Sequence, residues 1–315
     1  MQQAKNPKSF GAGLMLAGAG AIAFSGKAII VKLSYRYQVD AVTVIMYRML
    51  FALPFFMIMV AWASRSDHSK NNLLTFKDAV AIAALGFIGY YLSSYLDFLG
   101  LQYISAGLER LILYLSPTFV MIIGGILYKK KVERIRIIAM CVSYAGICLV
   151  FWSEVSLSGS SVVLGSFWVL TSAFSYSLYL IFSGQMVHKV GSLRLVGWAS
   201  SVASICCILQ FLAVRPLSAA FVPIEVIELS MVNAVVCTAA PVLMVMMAVE
   251  TIGASLASQV GMIGPLSTLF LSVLFLDEPI TLSLCLGTAL VIGGVFLVTK
   301  FANKEGNKNG LKDKR

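Results

Sequence analysis

Apolar residues fall in long, nearly uninterrupted runs, separated by short segments that hold most of the charge. The runs cover roughly 10–33, 41–63, 79–99, 103–128, 136–153, 162–187, 195–214, 229–249, 251–276 and 280–299. A bilayer core about 30 Å thick takes roughly 20 apolar residues of helix, so each run has about the length of one crossing. The runs are too long and too uniformly apolar for the alternating strands of a membrane barrel. The pattern predicts an all-α membrane protein of ten transmembrane helices. Tight turns are expected at Lys129-Lys130-Lys131 and at Asp277-Glu278-Pro279.

Composition supports the same solvent. Only 12% of residues are charged and 59% are hydrophobic, whereas a soluble domain carries roughly a quarter charged residues. The net charge of +10 would suit nucleic acid if the basic residues shared one face, but they lie between apolar runs. They read as topology signals, and no nucleic-acid partner is expected. Eighteen Lys and Arg residues fall on one side of the ten runs and two, Arg36 and Arg215, on the other. By the positive-inside rule both termini are cytoplasmic, and the host is the cytoplasmic (inner) membrane. Residues 1–9 form a short cytoplasmic lead, and the basic stretch 301–315 a polar, disordered tail. Phe10 to Leu33 exceeds a signal-peptide core and contains Lys27, so it reads as a retained first helix. The six cysteines lie inside apolar runs without a Cys-x-x-Cys pair, which leaves no metal or disulfide framework and implies no cofactor.

Sliding the chain against itself by 148 residues aligns Ile104 with Ile252, Ala106 with Ala254, Leu108 with Leu256, Pro117 with Pro265 and Gly146 with Gly294, without a gap. Runs one and six align at 150, where Ala23-Phe24-Ser25 meets Ala173-Phe174-Ser175. Two units follow, 10–153 and 154–300. Each holds five helices, an odd number, so the second copy enters from the opposite side, and the expected build is two inverted five-helix repeats. A duplication that only builds a stable bundle would leave the same pattern.

The stretch Leu96-Asp97-Phe98-Leu99-Gly100-Leu101-Gln102-Tyr103-Ile104-Ser105-Ala106-Gly107-Leu108, followed by Pro117, resembles the Ala-Leu-x-Tyr-x-Ser-Ala…Pro segment of EamA-type transporters in the drug/metabolite transporter superfamily. Ala254-Ser255-Leu256, Pro265, Phe275-Leu276-Asp277-Glu278-Pro279 and Gly293-Gly294 look like the second half of such a transporter. The resemblance runs from about residue 10 to 300 and implies metabolite transport. One departure stands out: where the family usually has a Glu after helix four, matching Glu278 after helix nine, this chain has Lys130.

Charges within the runs need a reason, since one at mid-bilayer costs at least roughly 2.5–3.5 kcal/mol. They are Lys27, Lys32, Arg48, Asp97, Glu109 and Arg110. The predicted topology puts Lys27, Arg48, Glu109 and Arg110 in one layer about 10 Å below the outer surface, with Lys32 and Asp97 nearer the rim. One reading is a structural network, for instance Asp97 with Lys32 and Glu109 with Arg48. The other is a substrate or coupling site whose two surplus positive charges meet a carboxylate or phosphate. Candidate residues are Lys27, Arg48, Tyr91, Tyr95, Glu109, Arg110, Tyr114 and Tyr176, with Ser258 and Gln259 at the inverted equivalents of the Glu109-Arg110 region. Pro54, Pro117, Pro241 and Pro265 are candidate kinks. His68 and His188 fall in expected loops.

The functional expectation is a secondary transporter of a small metabolite, an amino acid or related solute, working by alternating access, with the direction left open to import or export. No Gly-x-x-x-x-Gly-Lys-Ser/Thr loop is present, so any driving force is an ion gradient or the solute's own. A channel or non-transporting membrane partner fits the residues too. A lipid-modifying enzyme fits less well, because the histidines are isolated and no nucleophile constellation accompanies them. The chain is expected not to be an enzyme. Its oligomeric state is unassigned.

Overall fold

The computed structural model describes residues 7–65, 74–127, 134–252, 257, 260, 261, 263–294, 296 and 297. Among them every regular element is helical. The helices are α1 (Pro7–Tyr35), α2 (Ala41–Ala63), α3 (Phe76–Leu101), α4 (Ala106–Leu127), α5 (Arg134–Ser158), α6 (Ser161–Val190), α7 (Ser192–Val214), α8 (224–252), α9 (Gly264–Leu276) and α10 (Leu282–Gly294). Seven are long and apolar enough to cross a membrane: most of α1, all of α2, α3, α4 and α7, and much of α6 and α8. Met140–Ser156 within α5, α9 and α10 are shorter apolar helices.

Helix starts follow local chemistry. Asp40 caps α2 by accepting the Val42 N–H at 3.1 Å, Thr75 and Asp78 form a capping box on α3, and the Ser105 hydroxyl accepts the Leu108 N–H on α4 at 3.0 Å. α3 contains a π-helical turn at Phe87–Leu92 and α8 one at Val235–Ala239. These turns begin 148 residues apart. Pro241, just after the second, supplies no N–H to the preceding turn. In α3 the Ser175 hydroxyl donates instead to Ile88 O at 2.7 Å.

α4 differs from the single kinked helix expected. It is two pieces, Ala106–Leu113 and Ser116–Leu127, with Pro117 opening the second. Proline is tolerated in a first turn, where its missing N–H has no partner to lose. α9 begins in the same way at Gly264-Pro265, again 148 residues on. Asp277 then ends α9 in a left-handed conformation, φ 58°, which Asp tolerates better than most residues. α6 also runs further than its apolar run, so His188 falls in its last turn rather than in a loop. His68, Lys129-Lys130-Lys131 and the stretch 301–315 lie outside the described residues.

The helix pairings repeat. α1 packs on α8 and α9; α6 packs on α3 and α4; α2 packs on α7 and α8, and α7 on α3. Adding five to the helices of one pairing returns another. α5 meets α10 where a Cβ on Gly287 would stand 2.7 Å from Gly146 O, an approach only glycine permits. The largest buried clusters gather Ile29, Ile45, Phe98 and Leu101 around α1–α3, and Leu108, Leu111, Val169 and Val291 around α4, α6 and α10. The charged residues share the helices that carry these two clusters.

Candidate functional site: a buried charge cluster on helices α1 to α4

Five titratable side chains predicted from sequence are almost wholly buried: Lys27 6%, Arg48 4%, Asp97 2%, Glu109 0% and Arg110 7% exposed. The structure brings three of them into contact. Lys27 pairs with Asp97 and lies 3.3 Å from a Glu109 oxygen, so one ammonium on α1 serves a carboxylate on α3 and another on α4. Arg110 donates to the Ser25 hydroxyl at 3.0 Å, and Ser25 reaches Gly264 O at 3.0 Å. The Phe24 ring lies 5.6 Å from Lys27 and 5.2 Å from Arg110, a face that suits both cations. Tyr114 adds a second ring beside Arg110 at 5.9 Å and donates to Gly261 O at 2.8 Å.

Arg48 does not meet Glu109. Its Nε donates to the Thr238 hydroxyl at 3.0 Å and its guanidinium covers the Phe98 ring at 5.1 Å. The π turn presents Thr238, whose hydroxyl donates in turn to Asn233 O at 2.9 Å. Lys32 does not pair with Asp97 either. It lies 3.1 Å from Glu278 and donates to Ile104 O at 2.8 Å. Both corrections have one cause: helix rotation and the arrival of α8 and of the α9–α10 connection offer nearer partners than the residues matched by depth alone.

Several buried polar atoms have no hydrogen-bond partner among the described residues: Arg48 Nη1, Asp97 Oδ1, Glu109 Oε2 and Arg110 Nε, while Glu109 Oε1 is held by its ion pair with Lys27. Buried polar groups are nearly always satisfied, so these four atoms stand out from the rest of the bundle. Three cations face two carboxylates here, leaving one surplus positive charge. The surplus of two expected from six residues shrinks because Glu278 neutralises Lys32. Glu154 is a second carboxylate at that end, accepting from the N–H and hydroxyl of Ser105.

The tyrosines divide. Tyr114 belongs to the charged centre. Tyr91 and Tyr95 stack on each other at 6.4 Å and pack against the cluster that contains Met49 and Phe98. Tyr176 joins Tyr90 and Tyr179 in a separate aromatic group beside Ile82 and Leu195. Ser258 and Gln259 lie outside the described residues. Sequence reasoning missed Phe24, Ser25 and Thr238 as members of the centre. The Phe24-Ser25 repeat match was the available signal for two of them, and Thr238 had none. Glu278 stood in a recognised motif, but nothing linked it to Lys32.

Helices with long apolar spans, all the regular structure among the described residues, are the build of a multi-pass membrane protein. This chain belongs to the EamA-like transporter family, whose sequence profile matches residues 11–152 and again 163–300. It is 28% identical over 300 residues to the uncharacterized transporter YcbK of Bacillus subtilis, covering 93% of each chain. Identity to the uncharacterized inner membrane transporter YicL of Salmonella typhimurium is 26% over 264 residues, covering 81% of this chain and 83% of that one. One crystal structure shares the fold with a TM-score of 0.65 at 14% identity, covering 93% of this chain and 98% of the other. The protein is thus a membrane transporter, set in a lipid bilayer and acting on a small molecule.

Proposed function

We propose that this protein is a secondary transporter that moves a small carboxylate-bearing metabolite, an amino acid or related solute, across the cytoplasmic membrane by alternating access. The observation that carries the reading is the set of orphaned buried atoms on Arg48, Asp97, Glu109 and Arg110. Its single surplus positive charge suits the carboxylate of such a solute. In this reading Lys27, Arg48, Glu109, Arg110 and Tyr114 form the substrate or coupling centre. Tyr91, Tyr95 and Tyr176 line the path beside it, and Ser258 and Gln259 serve from the second repeat.

The scaffold we infer is ten spans in two inverted repeats, 10–153 and 154–300, with both termini cytoplasmic. Three observations support it: the family profile matches twice, the π turns and proline-led helices recur at an offset of 148, and the helix pairings map onto one another when five is added. Inverted copies exchange conformations and so open a central site to either side. The inner-membrane description of YicL supports the same membrane for this chain.

The test is solute flux into liposomes that contain only this protein, with a panel of radiolabelled amino acids and other carboxylates. Saturable uptake and counterflow of at least one solute are expected. Non-saturable conductance would make the protein a channel, and no flux of any solute would count against transport of this class.

A further inference from the structure

At one end of the bundle a cavity of about 300 Å³ is lined by Lys32, Ser105, Val150, Glu154, Glu278 and Thr281, among others. Glu278, from the α9–α10 connection, reaches into the first half of the chain and holds two helices at once. Its Oε1 lies 3.1 Å from Lys32 Nζ on α1 and accepts the Ala106 N–H of α4 at 3.1 Å. Ala106 opens α4, where free N–H groups and the helix dipole favour a carboxylate. Lys32 is five residues beyond Lys27, and Ala106 is three residues before Glu109. One carboxylate from the second half therefore clamps the two helices whose next turns carry the Lys27–Glu109 contact.

We infer that Glu278 is the lock of a gate at this end: it ties α1 and α4 to the α9–α10 connection while the end is closed, and it releases both when the end opens. The inference rests on the alternating-access reading above. The pair is half-buried rather than surface-screened, at 25% and 15% side-chain exposure, so it contributes more than an exposed bridge. Glu278 Oε2 is buried without a hydrogen-bond partner among the described residues, so the carboxylate is held through one oxygen. Arg36 reinforces the same joint, donating to Leu276 O at 3.1 Å and lying 3.7 Å from Asp277. The residue 148 positions earlier is Lys130, an ammonium in place of this carboxylate.

The test uses the full chain in a cysteine-free background. Cysteines replacing Arg36 and Asp277 leave Lys32 and Glu278 in place, and a short reducible bis-methanethiosulfonate joins α1 to the connection. Cross-linking is expected to stop transport and reduction to restore it. Transport at the uncross-linked rate would overturn the gate and leave a static tie. A second arm needs no solute. Glu278→Gln keeps an acceptor for Ala106 but removes the charge facing Lys32. Val150→Cys, buried behind the lock, should then react roughly ten-fold faster with an impermeant maleimide added outside. An unchanged labelling rate, in protein that elutes as folded, would overturn the lock. A parent protein that moves no solute would defeat the transport reading, while the labelling arm would still judge the lock.

Discussion

Arg110 on α4 donates to the hydroxyl of Ser25 on α1 at 3.0 Å, and this bond is the route by which α9 joins the charged centre. Ser25 has a single proton, and both Ala21 O at 2.8 Å and Gly264 O at 3.0 Å are within reach of it. The proton goes to one of them at a time, and the hydroxyl oxygen accepts from Arg110 in either case. Ser25→Ala removes the acceptor from a buried guanidinium whose Nε is already unpartnered, at a cost of about 1.5–3 kcal/mol for a bond to a charged group. A lower melting temperature and weaker transport are expected, with Ser25→Thr restoring much of both. Arg110→Gln should weaken transport much more than it lowers the yield of folded protein. Proportional loss of the two would make Arg110 a structural residue.

The Lys27–Asp97 pair is buried on both sides, so breaking it leaves an uncompensated charge. Lys27→Met, which strips Asp97 and Glu109 of their shared cation, should destabilise the fold by about 3–5 kcal/mol. Asp97→Asn should cost less, because Lys27 keeps Glu109 at 3.3 Å, and the double variant should recover part of the Lys27→Met loss. Thermal stability of detergent-solubilised protein, followed by size-exclusion chromatography, measures both. A double variant no better than Lys27→Met alone would mean that Glu109 already depends on Lys27 as strongly as Asp97 does.

Glycines at helix crossings divide sharply from glycines that face open space. A Cβ on Gly165 would stand 2.9 Å from Gly100 O and 2.7 Å from Tyr103 Cβ, whereas one on Gly124 would meet nothing within 4 Å. Gly165→Val should abolish folded protein. Gly124→Ala should be neutral or raise stability by about 0.5–1 kcal/mol through helix propensity. Comparable yields for the two variants would contradict the close approach of α3 and α6.

Single cysteines at 68 and 156 in a cysteine-free background should label from opposite sides of the membrane, the first from the cytoplasm, because basic residues gather on one side of the apolar runs. Labelling of both by an impermeant reagent added outside would reverse or break the proposed topology.

The apolar runs determined that the chain is helical and membrane-bound, because a bilayer accepts only segments that satisfy their own backbone, and that demand is written locally in run length. The 148-residue offset was also legible, and it recurs in the π turns and in the helices opened by Ser116-Pro117 and Gly264-Pro265. Which charges are buried could be read as well, since five of the six flagged residues are less than a tenth exposed. Their partners could not. Arg48 meets Thr238 across 190 positions, Lys27 meets Asp97 across 70, and Lys32 meets Glu278 rather than Asp97. Run length and periodicity give a residue's depth along its own helix. A hydrogen bond also needs the rotation of that helix and the identity of the neighbour beside it, and only the packing of distant helices decides those.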